Sequence, residues 1–370
     1  MRNIICVCLA EGEGHVRYQR LIDYLKTEYS KDEVTFLQGP ESAEKLLSLK
    51  EKEKTAVVFI ISMDETGINL SLDIVLKKIA SVPKCLEGMS GGIIAVGDGE
   101  LYTKEAMRKT AFVLNRVGCM MPGKAFAEIT GSMRNMKNQA SLRGLSLEEA
   151  FLECSREAVR AAAEAETIHS GKKIRHLTCI HSSIESKSNT YAYWKLIREQ
   201  LCMDEDAVKV DEINLYGENI PDCRGCSFHT CQSLGKERKC FFGGIMTEKV
   251  YPAIEQSDAI IFLCPNYNDA IGANLSACIN RMTALYRNSD FSGKYLYVVV
   301  VSGYSGGELV AEQVIDAMVL NKGFMLPEYA IDIQMANFPT EILKEKGIHD
   351  RAFEFADRIC KRYLKMAKNC

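Results

Sequence analysis

No apolar run in the sequence approaches the roughly 20 residues needed to span a bilayer. Neither sign of charge dominates: 46 Lys and Arg stand against 49 Asp and Glu, a net charge of −3. A field that weak argues against a nucleic-acid or anionic-membrane surface. Proline is scarce, at 8 of 370 residues, and glycine numbers only 26, which excludes a collagen-like chain. What remains is 47% hydrophobic and 26% charged, the composition of a globular protein with a sizeable core rather than a disordered one. At this length two domains are expected. The opening run Met1–Ala10 is followed at once by Glu11 and Glu13, and reads as a buried strand rather than a signal peptide.

Cysteine, by contrast, is plentiful, with 15 residues. Disulfide scaffolds of secreted proteins are short, and this chain is not, so a reducing cytoplasm is the expected setting. Cys6, Cys8, Cys179 and Cys264 sit inside apolar runs, where a thiol behaves as a small hydrophobe. Four others cluster between Cys223 and Cys240 and call for a separate explanation.

The chain repeats itself. Asp64-x-x-Gly67-x-Asn69-Leu70-Ser71-x-x-Ile74 recurs 205 residues on as Asp269-x-x-Gly272-x-Asn274-Leu275-Ser276-x-x-Ile279. Gly118-x-Met120-x-Pro122 recurs at the same offset as Gly323-x-Met325-x-Pro327. Two matches in one register indicate two copies of one domain. Strand-like runs precede both, at Ala56–Ile61 and Ala259–Cys264, then at Gly92–Val96 and Tyr295–Val301. In the second half the expected strands also include Leu177–His181, Val208–Asn214 and Glu328–Ile333. Helical patterns separate them, with Trp194, Ile197 and Leu201 on one face. Alternating strands and helices imply a buried parallel sheet. The fold class is therefore α/β: two tandem flavodoxin-like doubly wound domains with five-stranded parallel sheets, spanning 1–170 and 171–370. A helix from about Leu147 to Thr167, opened by a Ser146/Glu149 capping box, joins them through His169–Lys173.

Ligands of such sheets bind outside the carboxyl ends of the strands. Three loops of the second half occupy those positions. Ser182–Thr190 is rich in hydroxyls before a helix start, which suits an anion, although Ser and Asn also serve as plain caps. Cys264–Asp269 offers an aromatic and several polar groups. Ser302–Gly307 has glycines that let backbone approach a ligand closely.

These segments resemble the flavodoxin-like NAD(P)H-dependent FMN reductases, and especially their iron–sulfur flavoprotein branch. The family's Gly-Ser-Pro-Arg-Lys-x-Ser-Asn-Thr phosphate loop is matched by Ser183 and by Ser188-Asn189-Thr190 in the same spacing. Its Ser-Pro-x-Tyr-Trp-Gly flavin loop is similar to Cys264-Pro265-Asn266-Tyr267-Asn268-Asp269, with Asn268 and Asp269 in place of Trp-Gly. Ser182 stands where the family has Gly, and Glu185 where a basic residue is common. The resemblance covers roughly residues 173–340. It implies bound FMN, with its phosphate on Ser183, Ser188, Asn189 and Thr190. The ring would lie between Pro265, Asn266, Tyr267 and Asn268 on one side and Ser302, Gly303, Tyr304 and Gly306 on the other. NAD(P)H would be a transient donor, and a homodimer is possible, since dimer partners often complete the flavin pocket in this family. The first half, whose loop at 9–15 carries two carboxylates and no hydroxyl, is expected to keep the fold without the cofactor and to stand in as such a partner.

Cys223-x2-Cys226-x4-Cys231-x8-Cys240 lies in a polar stretch where core packing does not explain thiols. Cys223-Arg224-Gly225-Cys226 corresponds to the Cys-x-Gly-Cys segment of the resembled branch, which implies a [4Fe–4S] cluster on the four cysteines. Zinc, with these ligands or three of them and His229, and a metal-free role remain open. The expected function is an FMN-dependent oxidoreductase passing electrons from NAD(P)H or a ferredoxin-type donor to a small acceptor or redox protein. The alternatives are an electron carrier without turnover and a zinc-stapled binding module. His181, Tyr304 and Cys264 stand at strand ends near the flavin position, but no catalytic residue is assigned.

Overall fold

The structure is a computed structural model that describes residues 2–10, 16–30, 32–169, 173–201 and 208–360. The loop at 11–15 and the linker at 170–172 lie outside the described residues. The chain divides into two units, Met1–Ser170 with Met325–Tyr329, and Gly171–Phe324 with Ala330–Cys370.

The first unit begins β1 (Asn3–Leu9), α1 (Val16–Glu28), β2 (Val34–Gln38), α2 (Ser42–Leu47) and β3 (Thr55–Met63). It continues with α3 (Leu70–Ala80), β4 (Ser90–Gly97), α4 (Thr103–Arg116), β5 (Phe126–Ile129), α5 (Lys137–Arg143) and α6 (Leu147–His169). The second unit opens with β6 (His176–His181), α7 (Asn189–Leu201), β7 (Lys209–Asn214), α8 (Phe228–Lys236), α9 (Tyr251–Gln256) and β8 (Ala259–Pro265). Then come α10 (Ala273–Arg281), α11 (Thr283–Tyr286), β9 (Tyr295–Ser302), α12 (Gly307–Val314), β10 (Ile331–Met335) and α13 (Ile348–Cys360).

The sheets run β2-β1-β3-β4-β5 and β10-β9-β8-β6-β7, parallel throughout. Numbered from its own first strand, each reads 2-1-3-4-5, the doubly wound flavodoxin-like order. Helices cover both faces, which is why β3 and β9 are buried along their whole length and apolar except at Thr55, Ser62 and Ser302. In the first unit Ile4, Cys6, Cys8, Val58 and Ile60 share a core with α1 and α6, while α4 lies on β4 beside α3. In the second, α7 packs on β8 and β9 with α13 beside it, and α12 on β9 and β10. Trp194, Ile197 and Leu201 are fully buried, as their spacing predicts. Among the described residues no helix is long and apolar enough to cross a membrane.

Local signals hold at the termini of elements. Ser146 and Glu149 form the capping box of α6: the Ser146 amide donates to Glu149 Oε2 at 2.9 Å, and the Glu149 amide to Ser146 Oγ at 3.2 Å. The last strand departs from expectation. It starts at Ile331 rather than Glu328, because Glu328 and Tyr329 form a turn, with Tyr329 left-handed at φ 51°. The four thiols read as hydrophobes, Cys6, Cys8, Cys179 and Cys264, are buried to 1% exposure or less. Burial pushes the Cys264 thiol up to about 12, which leaves it inert at neutral pH.

Candidate functional site

Parallel strands deliver the loops after β6, β8 and β9 to one edge of the second sheet, and the strand order reverses between β6 and β8. A cleft of about 320 Å³ opens there. Ser182, Ile184, Lys187 and Ser188 line it from the first loop, Tyr216 from beyond β7, Pro265 and Tyr267 from beyond β8, and Gly272–Leu275 from the start of α10.

The first loop is anchored to β7. Asn214 Nδ2 donates to the Ser183 carbonyl at 3.1 Å and to the Glu185 carboxylate at 3.4 Å, so the acidic residue is engaged at the sheet edge. Ser188 Oγ accepts from the Tyr191 amide at 3.2 Å and caps α7. Thr190 is buried in the first turn. Asn189 turns the other way: its Nδ2 donates to the carbonyls of Ala336 (3.2 Å) and Phe338 (2.8 Å), and its Oδ1 accepts from the Ile342 amide (3.2 Å). Its side chain is thus a brace between α7 and the segment after β10. Ser183 differs from all of these. It is 3% exposed, and its hydroxyl has no hydrogen-bond partner. A buried hydroxyl left unsatisfied costs about 1–3 kcal/mol, so a group that supplies its partner is favoured at this spot.

The second and third loops are stitched to each other. Asn266 Nδ2 donates to Ser302 Oγ at 2.9 Å and to Asp269 Oδ1 at 3.0 Å, while Asn266 Oδ1 accepts from the Asp269 amide at 2.8 Å. Ser302, itself buried, donates to the Ser305 carbonyl at 2.9 Å. Asn268 and Asp269 are both left-handed at φ 56°, a conformation Asn and Asp tolerate better than most residues. Gly306, at φ 91°, is needed: a β-carbon there would lie 1.9 Å from Asp269 Oδ1. Of the residues expected around the cofactor, Ser183, Asn266, Asn268, Ser302, Gly303, Tyr304 and Gly306 do not line the cleft: Ser183 is buried beside it, and Asp269 closes against Gly306. Tyr267 and Tyr304 are 63% and 74% exposed, and Tyr304 accepts a hydrogen bond from Asn337 at 3.2 Å.

His181 lies beneath the loop rather than in the cleft. It is fully buried, its ring 5.0 Å from that of Tyr191 and its Nε2 3.5 Å from Glu212 Oε1. Glu212 also accepts from Tyr191 Oη (3.0 Å), Trp194 Nε1 (2.9 Å) and Arg198 (3.1 Å). Burial opposes its ionisation, but His181 and the hydrogen bonds from Trp194 and Tyr191 prevail and hold the carboxyl at about 2. Tyr216 and the start of α10 are cleft residues the sequence reading did not assign. Gly272 and Asn274 were visible in the repeat, yet only the fold shows that they face the Ser182–Ser188 loop across the cleft.

A second cavity, of about 170 Å³, is lined by all four clustered cysteines, Cys223, Cys226, Cys231 and Cys240. Arg224, Arg281, Arg287, Phe241 and Phe242 complete much of its wall; His229 does not line it. The thiols are free, and among the described residues no three Cys, His, Asp or Glu side chains form a group that could hold a metal ion. The cysteine segment is held from outside. Arg287 donates to the Phe228 carbonyl at 2.8 Å, Asn288 to the Gln232 carbonyl at 3.2 Å, and Asn280 to Asp222 at 3.0 Å. Gly235 meets α11 so closely that a β-carbon would lie 2.1 Å from the Ala284 carbonyl oxygen. Burial raises the Cys231 thiol, the other three thiols add to this, and Arg287 opposes it.

At the corresponding edge of the first unit, the described loops after β3, β4 and β5 are packed by side chains of that unit. A β-carbon on Gly67 would lie 2.5 Å from the Tyr102 ring, which therefore covers the loop after β3. Glu100 accepts from the Ser132 amide (2.6 Å) and Thr130 Oγ1 (3.1 Å), and Arg17 donates to the Gly131 carbonyl (2.9 Å).

The strand order of the second sheet is the flavodoxin-like one, and the sequence of that half matches a family model. Residues 175–337 match the NADPH-dependent FMN reductase family. No curated protein matches the chain. Among solved structures, an FMN-dependent NADH-azoreductase from Bacillus anthracis in complex with FMN is 15% identical, over 50% of this chain and 99% of its own, with a TM-score of 0.34. An NAD(P)H:quinone oxidoreductase from Methanothermobacter marburgensis is 14% identical over 50% of this chain and 96% of its own, at 0.37. The rubredoxin oxygen:oxidoreductase of Desulfovibrio gigas extends over 98% of this chain and 75% of its own, at 12% identity and 0.34.

Proposed function

We propose that the second domain binds FMN at the cleft beside the Ser182–Ser188 loop, and that the chain is an FMN-dependent oxidoreductase. The carrying observation is Ser183, a buried hydroxyl without a partner in the loop that the FMN reductase family match covers. FMN, when bound, would supply a centre that accepts a hydride or single electrons. Ser183, Ser188 and the first turn of α7 would hold its phosphate by hydroxyl and amide donors and by the helix N-terminus. Pro265 and Tyr267 would flank the ring. The exposure of Tyr267 and Tyr304 leaves a face on which NAD(P)H or a protein donor can stack in turn with a small acceptor. The first domain, covered at its own edge by Tyr102, would carry no cofactor.

The four-cysteine cavity is the proposed second redox centre. Its donor set suits a [4Fe–4S] cluster in number and type: four free thiols line one space beside three guanidiniums. Cys223, Cys226, Cys231 and Cys240 would be the ligands, drawn inward on binding. The absence of His229 from the wall disfavours zinc on three cysteines and a histidine.

Anaerobic purification followed by a visible spectrum and iron and sulfide assays tests both parts. One FMN per chain, bleached by NAD(P)H and reoxidised by a quinone, is expected, together with about four irons. Failure to bind added FMN would overturn the flavin reading. Flavin without iron after reconstitution would overturn the cluster alone.

A further inference from the structure

Arg281 ends α10 with its side chain 2% exposed, an unusual burial for a guanidinium. Its Nη2 donates to the Gly243 carbonyl at 2.7 Å, and its Nε is buried without a hydrogen-bond partner. Its Cζ lies 5.8 Å from the centre of the Phe242 ring. Among the described residues no carboxylate forms an ion pair with it. The helix C-terminus and the Gly243 carbonyl offset part of its charge. A buried cation with only partial compensation still carries a desolvation penalty. The space it lines is the cysteine cavity, so the missing negative charge belongs there.

We propose that Arg281 is the internal counter-cation of the four-cysteine cavity and sets how readily a cluster held there takes up an electron. This rests on the cluster reading above. Four thiolates around a [4Fe–4S] core carry a net charge of about −2, which becomes about −3 when one electron is added from the flavin or an external donor. A fixed guanidinium at the wall stabilises the more negative state, and so raises the reduction potential. Two other guanidiniums line the cavity. Arg224 is exposed and stacked on Phe242 at 5.1 Å. Arg287 is only half-buried, stacked on Phe228 at 4.5 Å and donating to the Phe228 carbonyl. Solvent screens both more than it screens Arg281. The tuning therefore falls on the buried residue.

The test is a redox titration of the full chain followed by electron paramagnetic resonance, after anaerobic loading with ferrous iron and sulfide. Iron content is measured on the same samples. Arg281→Gln is expected to load the same iron and to titrate at a more negative potential. Arg281→Lys, which keeps the charge, and Arg224→Gln are expected to stay near wild type. If Arg281→Gln fails to fold, Arg281→Met fills the same space with an apolar stem and carries the same expectation. Full iron loading with an unmoved midpoint in the folded, charge-free variant would overturn the role of Arg281. A wild-type chain that loads no iron, or only zinc, would overturn the cluster reading and this inference with it, and that outcome is visible before any variant is made.

Discussion

Asn274 and Arg281 stand seven residues apart on α10 and face different chemistry. Asn274 lines the cleft beside the Ser182–Ser188 loop and donates to the Leu215 carbonyl at 2.7 Å; Arg281 lines the cysteine cavity. Two helical turns separate them, about 10 Å along the axis at about 1.5 Å per residue. One short helix thus runs from the cleft to the cysteine cavity.

Ser183→Ala should weaken FMN binding by roughly tenfold or more, since hydrogen bonds to charged groups contribute about 1.5–3 kcal/mol. The apoprotein should not lose stability, because the hydroxyl has no partner within the chain to lose. Flavin fluorescence titration and thermal unfolding of the apoprotein measure the two effects separately. Equal affinities for variant and wild type would count against the phosphate assignment.

Gly306→Ala should destabilise the second domain by on the order of 2 kcal/mol, combining a left-handed φ of 91° with a β-carbon 1.9 Å from Asp269. Gly272→Ala is the control: its φ is −56° and nothing lies within 4 Å of the added atom. Denaturant titration of both variants should separate them clearly.

Acid stability should report on Glu212. Its carboxyl is held at about 2 in the folded chain, against an ordinary value of 4.5. The stabilisation is fully present above the ordinary value and is lost as pH falls toward the folded one. It amounts to on the order of 3 kcal/mol. Glu212→Gln should be less stable near neutrality and should flatten the pH dependence between these limits. Unfolding free energies measured down that range would show whether the slope disappears.

Gly235→Ala should loosen the cysteine segment without unfolding the sheet, because the added carbon meets the Ala284 carbonyl where α8 rests on α11. The expected readout is faster modification of Cys231 by a thiol reagent, with far-ultraviolet circular dichroism unchanged. An unaltered rate would mean that the segment is held by other contacts.

Fold class was legible because the signals are local or periodic. Continuous apolar runs at Ala56–Ile61 and Tyr295–Val301 announce strands covered on both faces, and the Ser146/Glu149 pair announces a helix start. Glu328 and Tyr329 misled because their strand-like composition gives no sign of the left-handed turn at Tyr329. Asn189 was placed on the phosphate side by its motif, yet its partners come from 336–342, more than a hundred residues away.

By itself, then, the sequence determined the two parallel sheets, the three loops at one edge and the presence of four clustered thiols. Spacing along one chain decides which groups sit on which strand end. Only the tertiary structure decided that the Ser183 hydroxyl is buried without a partner, that Asp269 closes on Gly306, and that Arg281 stands buried beside the cysteines. Satisfaction, closure and burial depend on atoms supplied by distant segments, and no local pattern records them.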